Sequence, residues 1–341
     1  MSPTYFYPKY QSMLSITYFY REPRKTGVSI EGIFKLVKER LKGKVDINEF
    51  FCDQNASQLK NTLRAGKFAS QINHITGDVN FLAFGLRGKK NILTVHDLGH
   101  YETLKKRGFI QHTIYRLFWF KYPLKYINIV TVVSHFTKSK LIEYFNFPED
   151  RIRVIYDPVK PVFKFSRCER LNDIPRILQI GTGAHKNLNS LIEAVKGTNV
   201  HLDIIAWIGD DVIKKLNDNH ISYTVYNALS DEDLYKRYVA CDILYFASFY
   251  EGFGMPVIEA QAVGRPVITS NMGAMKEVAG DSAYLVDPNN VAEIKQAILN
   301  LTGDMDMYNE FVKKGRENVV KFDCDKIAAD YLSVYTELYN S

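Results

Sequence analysis

The sequence predicts an α/β protein made of two doubly wound, Rossmann-like domains that face each other across a cleft. Three observations carry this reading. The chain has 341 residues, more than a single hydrophobic core usually organises. Short apolar runs of strand length alternate with segments of helical period along its whole length, which is the signature of parallel sheets covered on both faces. The alternation then stops at a proline-punctuated segment near Pro158 and Pro161 and starts afresh near residue 175.

The elements follow in order. Residues 15–20, SITYFY, read as a strand. Residues 29–42 place Ile30, Ile33, Phe34, Val37 and Leu41 on one helical stripe. Residues 91–98, NILTVHDL, form a buried strand with polar residues at its C-terminal end. A strand at 127–134 leads to Ser134, a helix cap for HFTKSKLIEYF. RIRVIYDPV (151–159) is a further strand. After the linker KPVFKFSRCERLND come strands at 175–181, 200–209, 242–248 and 266–270. Helices at 187–197, 231–241 and 256–264 separate them, and two more close the chain. The expected domains are residues 1–160 and 173–322, with 323–341 as a terminal helix. Ligands in such sheets bind beyond the C-terminal strand ends, so two domains of this kind make the cleft between them the natural site.

Charge is unevenly divided. Residues 1–165 hold 27 Lys and Arg against 13 Asp and Glu, a balance of +14, within a chain of net charge +6. Two readings stay open: halves that attract each other, or a basic half that meets a membrane surface, a phosphorylated acceptor or nucleic acid. The stretch 104–126 mixes Lys105, Lys106, Arg107, Arg116, Lys121 and Lys125 with Phe118, Trp119 and Phe120. It is either a helix lying on an anionic membrane or a core helix with a basic outer face. No run reaches the roughly 18 apolar residues of a membrane span. No secretory leader is expected at the N-terminus, and Met13 is an alternative start. Cys52, Cys168, Cys241 and Cys324 are scattered and fit no zinc or redox spacing, which suits a reducing cytoplasm.

Three motifs bear on chemistry. The first is residues 248–270, SFYEGFGMPVIEAQAVGRPVITS. A strand ends, a loop with Gly252 and Gly254 follows, and Pro256 opens a helix whose free N–H groups can receive an anion. Glu251 and Glu259 are then placed to meet the hydroxyls of one ligand; the plainer reading is a glycine turn with a solvated glutamate. The second is LQIGTGAHKNL (178–188). Gly181 and Gly183 suggest a dinucleotide loop, but Lys186 stands where the third glycine of that fingerprint belongs, and it supplies a point charge for phosphate instead. The third is TVHDLGH (94–100), where His96 and Asp97 end a buried strand; His96 is either a ligand contact or a histidine satisfied by nearby backbone. Asp210-Asp211 reads as a turn rather than a metal pair, and no HExxH-type pattern is present.

YEGFGMPVIEAQAVGRPVITSN, ILQIGTGAHKNLNSLIEA, TVVSHFTKSKL and RVIYDPV together resemble the retaining GT-B glycosyltransferases of family four, over about residues 14–341. The resemblance implies a nucleotide-sugar donor and a saccharide or lipid-linked acceptor. It implies no metal, no cofactor and no nucleic-acid partner. It also implies a catalytic trio of His96, Glu251 and Lys186. Glu259 would hold the donor ribose, Glu251 the hydroxyls of the transferred sugar, and Lys186 the diphosphate. The backbone of Gly252, Phe253, Gly254 and Met255 would line the donor pocket, with Gly181 and Thr182 beside it. Gly27 and Ser29 would close over the phosphates. The final helix would cross back to the first domain. The chain departs from the family at Thr182, where arginine is common, and at the N-terminal loop, where Gly27 lacks its usual glycine partner. Arg21, Arg24 and Arg265 are therefore further candidates for phosphate charge. The expected setting is cell-envelope polysaccharide synthesis in the cytoplasm or at the inner membrane face. A sugar-nucleotide epimerase and a non-catalytic nucleotide-sugar binder are the alternatives.

Overall fold

The computed structural model describes residues 13–22 and 30–341. Two six-stranded sheets, parallel throughout, organise it. The first contains β1 (Ser15–Tyr20), β2 (Asp46–Phe51), β3 (Ile72–Ile75), β4 (Asn91–Val95), β5 (Ile129–Val132) and β6 (Ile152–Val154), in the order β2-β1-β3-β4-β5-β6. The second contains β7 (Arg176–Ile180), β8 (His201–Ile205), β9 (Ser222–Tyr226), β10 (Ile243–Phe246), β11 (Val267–Ser270) and β12 (Tyr284–Val286), in the order β12-β11-β10-β7-β8-β9. This is the GT-B architecture. Central strands such as β4, β5, β10 and β11 are buried along their full length, as parallel strands with helices on both faces must be.

Each sheet carries an apolar core on either face. Phe19, Leu82, Leu93 and Val130 lie in one core of the first sheet, and Ile16, Tyr18, Phe34 and Ile92 in the other. The helix Cys324–Asn340, capped by Asp323, contributes Ile327, Tyr331, Val334, Tyr335 and Leu338 to that second core. Its end of the chain thus packs on the first domain. Inside this core the Tyr335 hydroxyl lies 2.9 Å from that of Tyr18 and 2.8 Å from His74 Nδ1. His74 Nε2 meets Thr94 Oγ1 at 2.7 Å, and Thr94 meets Thr131 at 2.6 Å. Burial pushes the His74 imidazole down to about 3, so it stays neutral and can share these bonds without a buried charge.

Four strands were not evident in the sequence: β2, β3, β9 and β12. Among them β2 and β9 are edge strands with mostly polar or half-exposed residues, and β3 spends two of its four positions on the buried Asn73 and His74. The stretch 104–126 is not one helix. Helix Gly99–Arg107 ends at an extended Gly108, helix Phe109–Tyr115 follows, and Arg116–Lys121 widens into a π turn in which Tyr122 N–H bonds the Leu117 carbonyl at 2.9 Å. Pro123, which cannot donate, then opens a final 3₁₀ turn. Asp210-Asp211 is no turn but the start of helix Asp210–Asp218, where acidic side chains complement the dipole.

Candidate active site

In the second sheet the chain runs outward from β7 through β8 and β9, then returns to add β10, β11 and β12 on the other side. The switch point therefore lies between β7 and β10. Loops leaving adjacent strands in opposite directions part there and leave a crevice. Lys186 follows β7 and Glu251 follows β10, so the topology alone brings together two residues 65 positions apart. Their Nζ and Oε1 atoms are 2.6 Å apart, with side chains about one-fifth exposed.

Local structure fixes this pair. Gly181 adopts φ 84°, and the Lys186 stem crosses it so closely that a β-carbon there would sit 3.1 Å from Lys186 Cγ. The Gln179 side-chain amide donates to the carbonyls of Gly181 and Lys186, closing the turn. Asn187 takes the left-handed conformation and donates to the carbonyls of Ala247 and Pro288, tying the β7 loop to the end of β10. Lys186 Nζ also lies 4.8 Å over the Phe246 ring. Thr182 donates to the Trp207 carbonyl.

After β10, Gly254 at φ 111° caps helix Met255–Val263, which carries a proline in its first turn. Phe253 and Met255 turn their side chains into the core, where Phe253 packs on Tyr156 and Phe322. Glu259 is 1% exposed, in contrast to Glu251. Its Oε2 accepts from the Tyr238 hydroxyl at 2.8 Å, and its Oε1 has no partner among the described residues. Burial pushes this carboxyl up to about 7. The picture of a solvated glutamate is therefore corrected, and the two glutamates occupy different environments.

His96 follows β4 in the first domain. Its Nε2 lies 2.9 Å from the Thr76 carbonyl, which can only accept, so the ring carries its proton on Nε2. Nδ1 lies 3.9 Å from Asp157 Oδ1. Gly77, at φ 136°, leaves room for the ring. Asp157 is buried, and its carboxyl is pushed up to about 6 by burial, with His96 acting against the shift. The sequence reading missed Asp157; its signal was a lone acid between an apolar strand and Pro158.

The two domains touch here. A β-carbon on Gly252 would overlap the His96 carbonyl oxygen. The Gly252 carbonyl accepts from Ser134 Oγ at 2.7 Å and Thr137 Oγ1 at 3.2 Å. The Tyr250 hydroxyl accepts from Leu98 N–H. Glu277, on helix Gly273–Ala279, accepts from the N–H groups of His135 and Phe136 at 2.8 and 3.0 Å and from the Tyr156 hydroxyl. A carboxylate of one domain thus satisfies the orphan donors that begin helix His135–Phe145 in the other. Beside these contacts a cleft of about 1140 Å³ is lined by His100, Lys106, Arg107 and Lys140 on one side and by His185, Tyr250 and Glu251 on the other. Burial lowers the pKa of the His185 imidazole, a residue with no role assigned from sequence.

Arg265 and Arg21 are the further candidates for phosphate charge that fall among the described residues. Arg265 is 3% exposed, and its guanidinium donates to the carbonyls of Cys241, Ser166 and Val239, so it anchors the linker rather than a phosphate. Arg21 pairs with Glu31 and Asp78. Gly27, Ser29 and Arg24 lie outside the described residues.

Comparison with known proteins bears on the fold and the family. Residues 169–318 match the family described as glycosyl transferases group 1, and residues 54–162 match glycosyltransferase family 4. The O-antigen chain mannosyltransferase B of Escherichia coli is 29% identical over 232 residues, covering 61% of this chain and 60% of its own length. The chain thus spans about three-fifths of the length of that relative. Sucrose-phosphate synthase from Thermosynechococcus elongatus superposes with a TM-score of 0.78 at 16% identity, covering 96% of this chain and 99% of its own. Anabaena HepE, solved with UDP and glucose, superposes with a TM-score of 0.77 at 13% identity, covering 94% and 99%. The two matched regions together take in most of both sheets, and the chain belongs to the group 1 glycosyl transferases.

Proposed function

We propose that the protein is a retaining, metal-independent glycosyltransferase that moves a sugar from a nucleotide-sugar donor to a saccharide or lipid-linked acceptor in cell-envelope polysaccharide synthesis. The observation that carries this is the Lys186–Glu251 pair at the switch point between β7 and β10, where Glu251 lines the interdomain cleft. As the bond from the sugar's anomeric carbon to phosphate breaks, negative charge grows on the leaving diphosphate. Lys186 and the free N–H groups that start helix Met255–Val263 stabilise it from fixed positions. Glu251, released from Lys186 when phosphate arrives, accepts the hydroxyls of the transferred sugar. The orphan Oε1 of Glu259 suits a ribose hydroxyl. The acceptor oxygen forms its bond on the face the diphosphate leaves, and the acceptor proton passes to a departing phosphate oxygen. His96 holds the first domain's edge of the site, its ring positioned by the bond from Nε2 to the Thr76 carbonyl.

The E. coli relative is a mannosyltransferase and HepE was solved with UDP and glucose, so GDP-mannose and UDP-glucose are the first donors to test. The experiment follows release of nucleoside diphosphate with a panel of saccharide and lipid-linked acceptors, and assigns the anomeric configuration of the product by proton NMR. Retained configuration is expected. An inverted product would remove the mechanism. Tight donor binding without turnover would make the chain a binding module, and interconversion of sugar nucleotides an epimerase.

A further inference from the structure

His185 stands directly before Lys186 in the short 3₁₀ turn Ala184–Lys186. Its backbone is clamped: the His185 carbonyl accepts from the Phe249 N–H at 2.8 Å, which ties the turn to the loop after β10. Its ring is seated by a glycine. A β-carbon at Gly183 would lie 2.8 Å from His185 Cε1 and 3.1 Å from Nδ1, so a larger residue there would push the imidazole away. Gly183 has an ordinary φ of −53° and serves here by its lack of bulk. Held this way, the ring lines the interdomain cleft beside Glu251, and neither of its nitrogens has a hydrogen-bond partner among the described residues.

Charged groups reach the ring from three elements: Glu251 after β10, Lys186 on its own turn and Asp97 after β4. Across the cleft stand Lys106, Arg107 and Lys140, with Glu102 and the titratable His100 among them. Partial burial in the cleft holds the imidazole's pKa below its ordinary value; Glu251 and Asp97 act against this and Lys186 adds to it. The ring is therefore uncharged at neutral pH while the cleft is empty. A phosphate group arriving beside Lys186 brings about two negative charges, and a nearby opposite charge favours the protonated imidazole. Thr182 cannot take this part, because it is uncharged and its hydroxyl is committed to the Trp207 carbonyl.

We infer that His185 is a second phosphate ligand of this site, one whose charge is created by the ligand itself: the ring takes up a proton from solvent as a nucleoside diphosphate binds, then donates an N–H to a phosphate oxygen beside Lys186. This role depends on the proposed function of Lys186 as the diphosphate cation. It makes nucleotide capture pH-dependent in a way that a lysine alone would not. The contribution of His185 to affinity is full where the free ring is already charged, and is lost as pH rises through the pKa of the ring in the complex.

Titration calorimetry of the full chain with GDP, UDP and ADP, run at pH 7 in buffers of different ionisation enthalpy, counts the protons taken up on binding. Wild type should take up about half a proton more than His185→Gln. Protonation changes of the nucleotide and of Glu259 are common to both proteins and cancel in that difference. Affinity should fall by about ten-fold in His185→Gln at pH 6.5, and by less than about two-fold at pH 9, where the wild-type ring is neutral even in the complex. His185→Arg carries a permanent charge, so it should bind more tightly than His185→Gln at both pH values and show no extra proton uptake. Equal proton uptake by wild type and His185→Gln would overturn the inference and leave the diphosphate site standing, as would a loss of affinity in His185→Gln that is the same at both pH values. Failure of all three nucleotides to bind, or of Lys186→Met to weaken them, would instead remove the diphosphate site and this role with it.

Discussion

Gly252 of the second domain rests against the carbonyl oxygen of His96 in the first, with no room for a side chain between them. The residue that follows β4 and the loop that follows β10 are thereby held in register. Gly252→Ala should force the domains apart while each keeps its own core. Small-angle scattering should show an expanded particle, and transfer should fall by roughly 100-fold, the usual effect of displacing reactive groups by about 1 Å. Unchanged scattering and activity would show that the contact is not needed for closure.

Lys186→Met keeps the stem that crosses Gly181 and removes the charge. The ratio kcat/KM for donor should fall by about 10²–10³, the range seen when one electrostatic stabiliser of a transition state is lost. The pair with Glu251 is partly exposed, so stability should change by less than about 1 kcal/mol. A variant with wild-type kinetics would place the diphosphate elsewhere.

Glu259 gives a pH signature. Folded, it holds its proton up to about pH 7; unfolded, it releases it near 4.5. The folded chain therefore binds more protons than the unfolded chain between these values. Its contribution to stability is full below pH 4.5 and is lost as pH rises to about 7. Glu259→Gln removes that loss, so its stability relative to wild type should rise across the window by on the order of 3 kcal/mol. Nucleotide-sugar affinity should move the other way, falling by about 1.5–3 kcal/mol in the variant at pH 8, since the charged acceptor is gone. Parallel denaturation curves for the two proteins at pH 5 and pH 8 would mean that Glu259 does not titrate in this range.

Glu277→Ala leaves the first N–H groups of helix His135–Phe145 without their partner. A lost helix cap costs about 0.5–2 kcal/mol. Because this cap joins two domains, calorimetry should show their unfolding separating into two transitions. One unshifted transition would show that other contacts set the cooperativity.

Metal independence is tested with chelator. Lys186 supplies a fixed positive charge where other transferases could employ a cation, so turnover should survive EDTA. Activity abolished by EDTA and restored by Mn²⁺ would reject this part of the mechanism.

The sequence made the central strands and their glycine loops legible because apolar runs, positive-φ glycines and caps are local signals. Ser134 is an example: its capping bond to Thr137 N–H follows from its own neighbourhood. Its second bond, to the Gly252 carbonyl 118 positions away, does not. The same limit hid Asp157, Tyr250 and Glu277, whose partners all lie in distant segments. Arg265 shows it from the other side. Beside a glycine loop an arginine reads as a phosphate ligand, and only the fold shows its guanidinium filled by five backbone carbonyls. Strand β3 was hidden by Asn73 and His74, polar residues that become acceptable inside only because neighbouring elements answer their hydrogen bonds.

The helix Cys324–Asn340 has a consequence for how the protein is made. Tyr335 joins Tyr18 and His74 inside the first sheet's core, although it is synthesised 317 residues after Tyr18. The first domain therefore emerges from the ribosome with one face of its sheet covered only in part, by the helix that carries Phe34 and Val37, and keeps it so while the whole second domain is translated. Ile16, Tyr18 and Phe34 must wait through that interval for Tyr331 and Leu338. A nascent chain of this design depends on chaperones, or on rapid elongation, more than its compact final form would suggest.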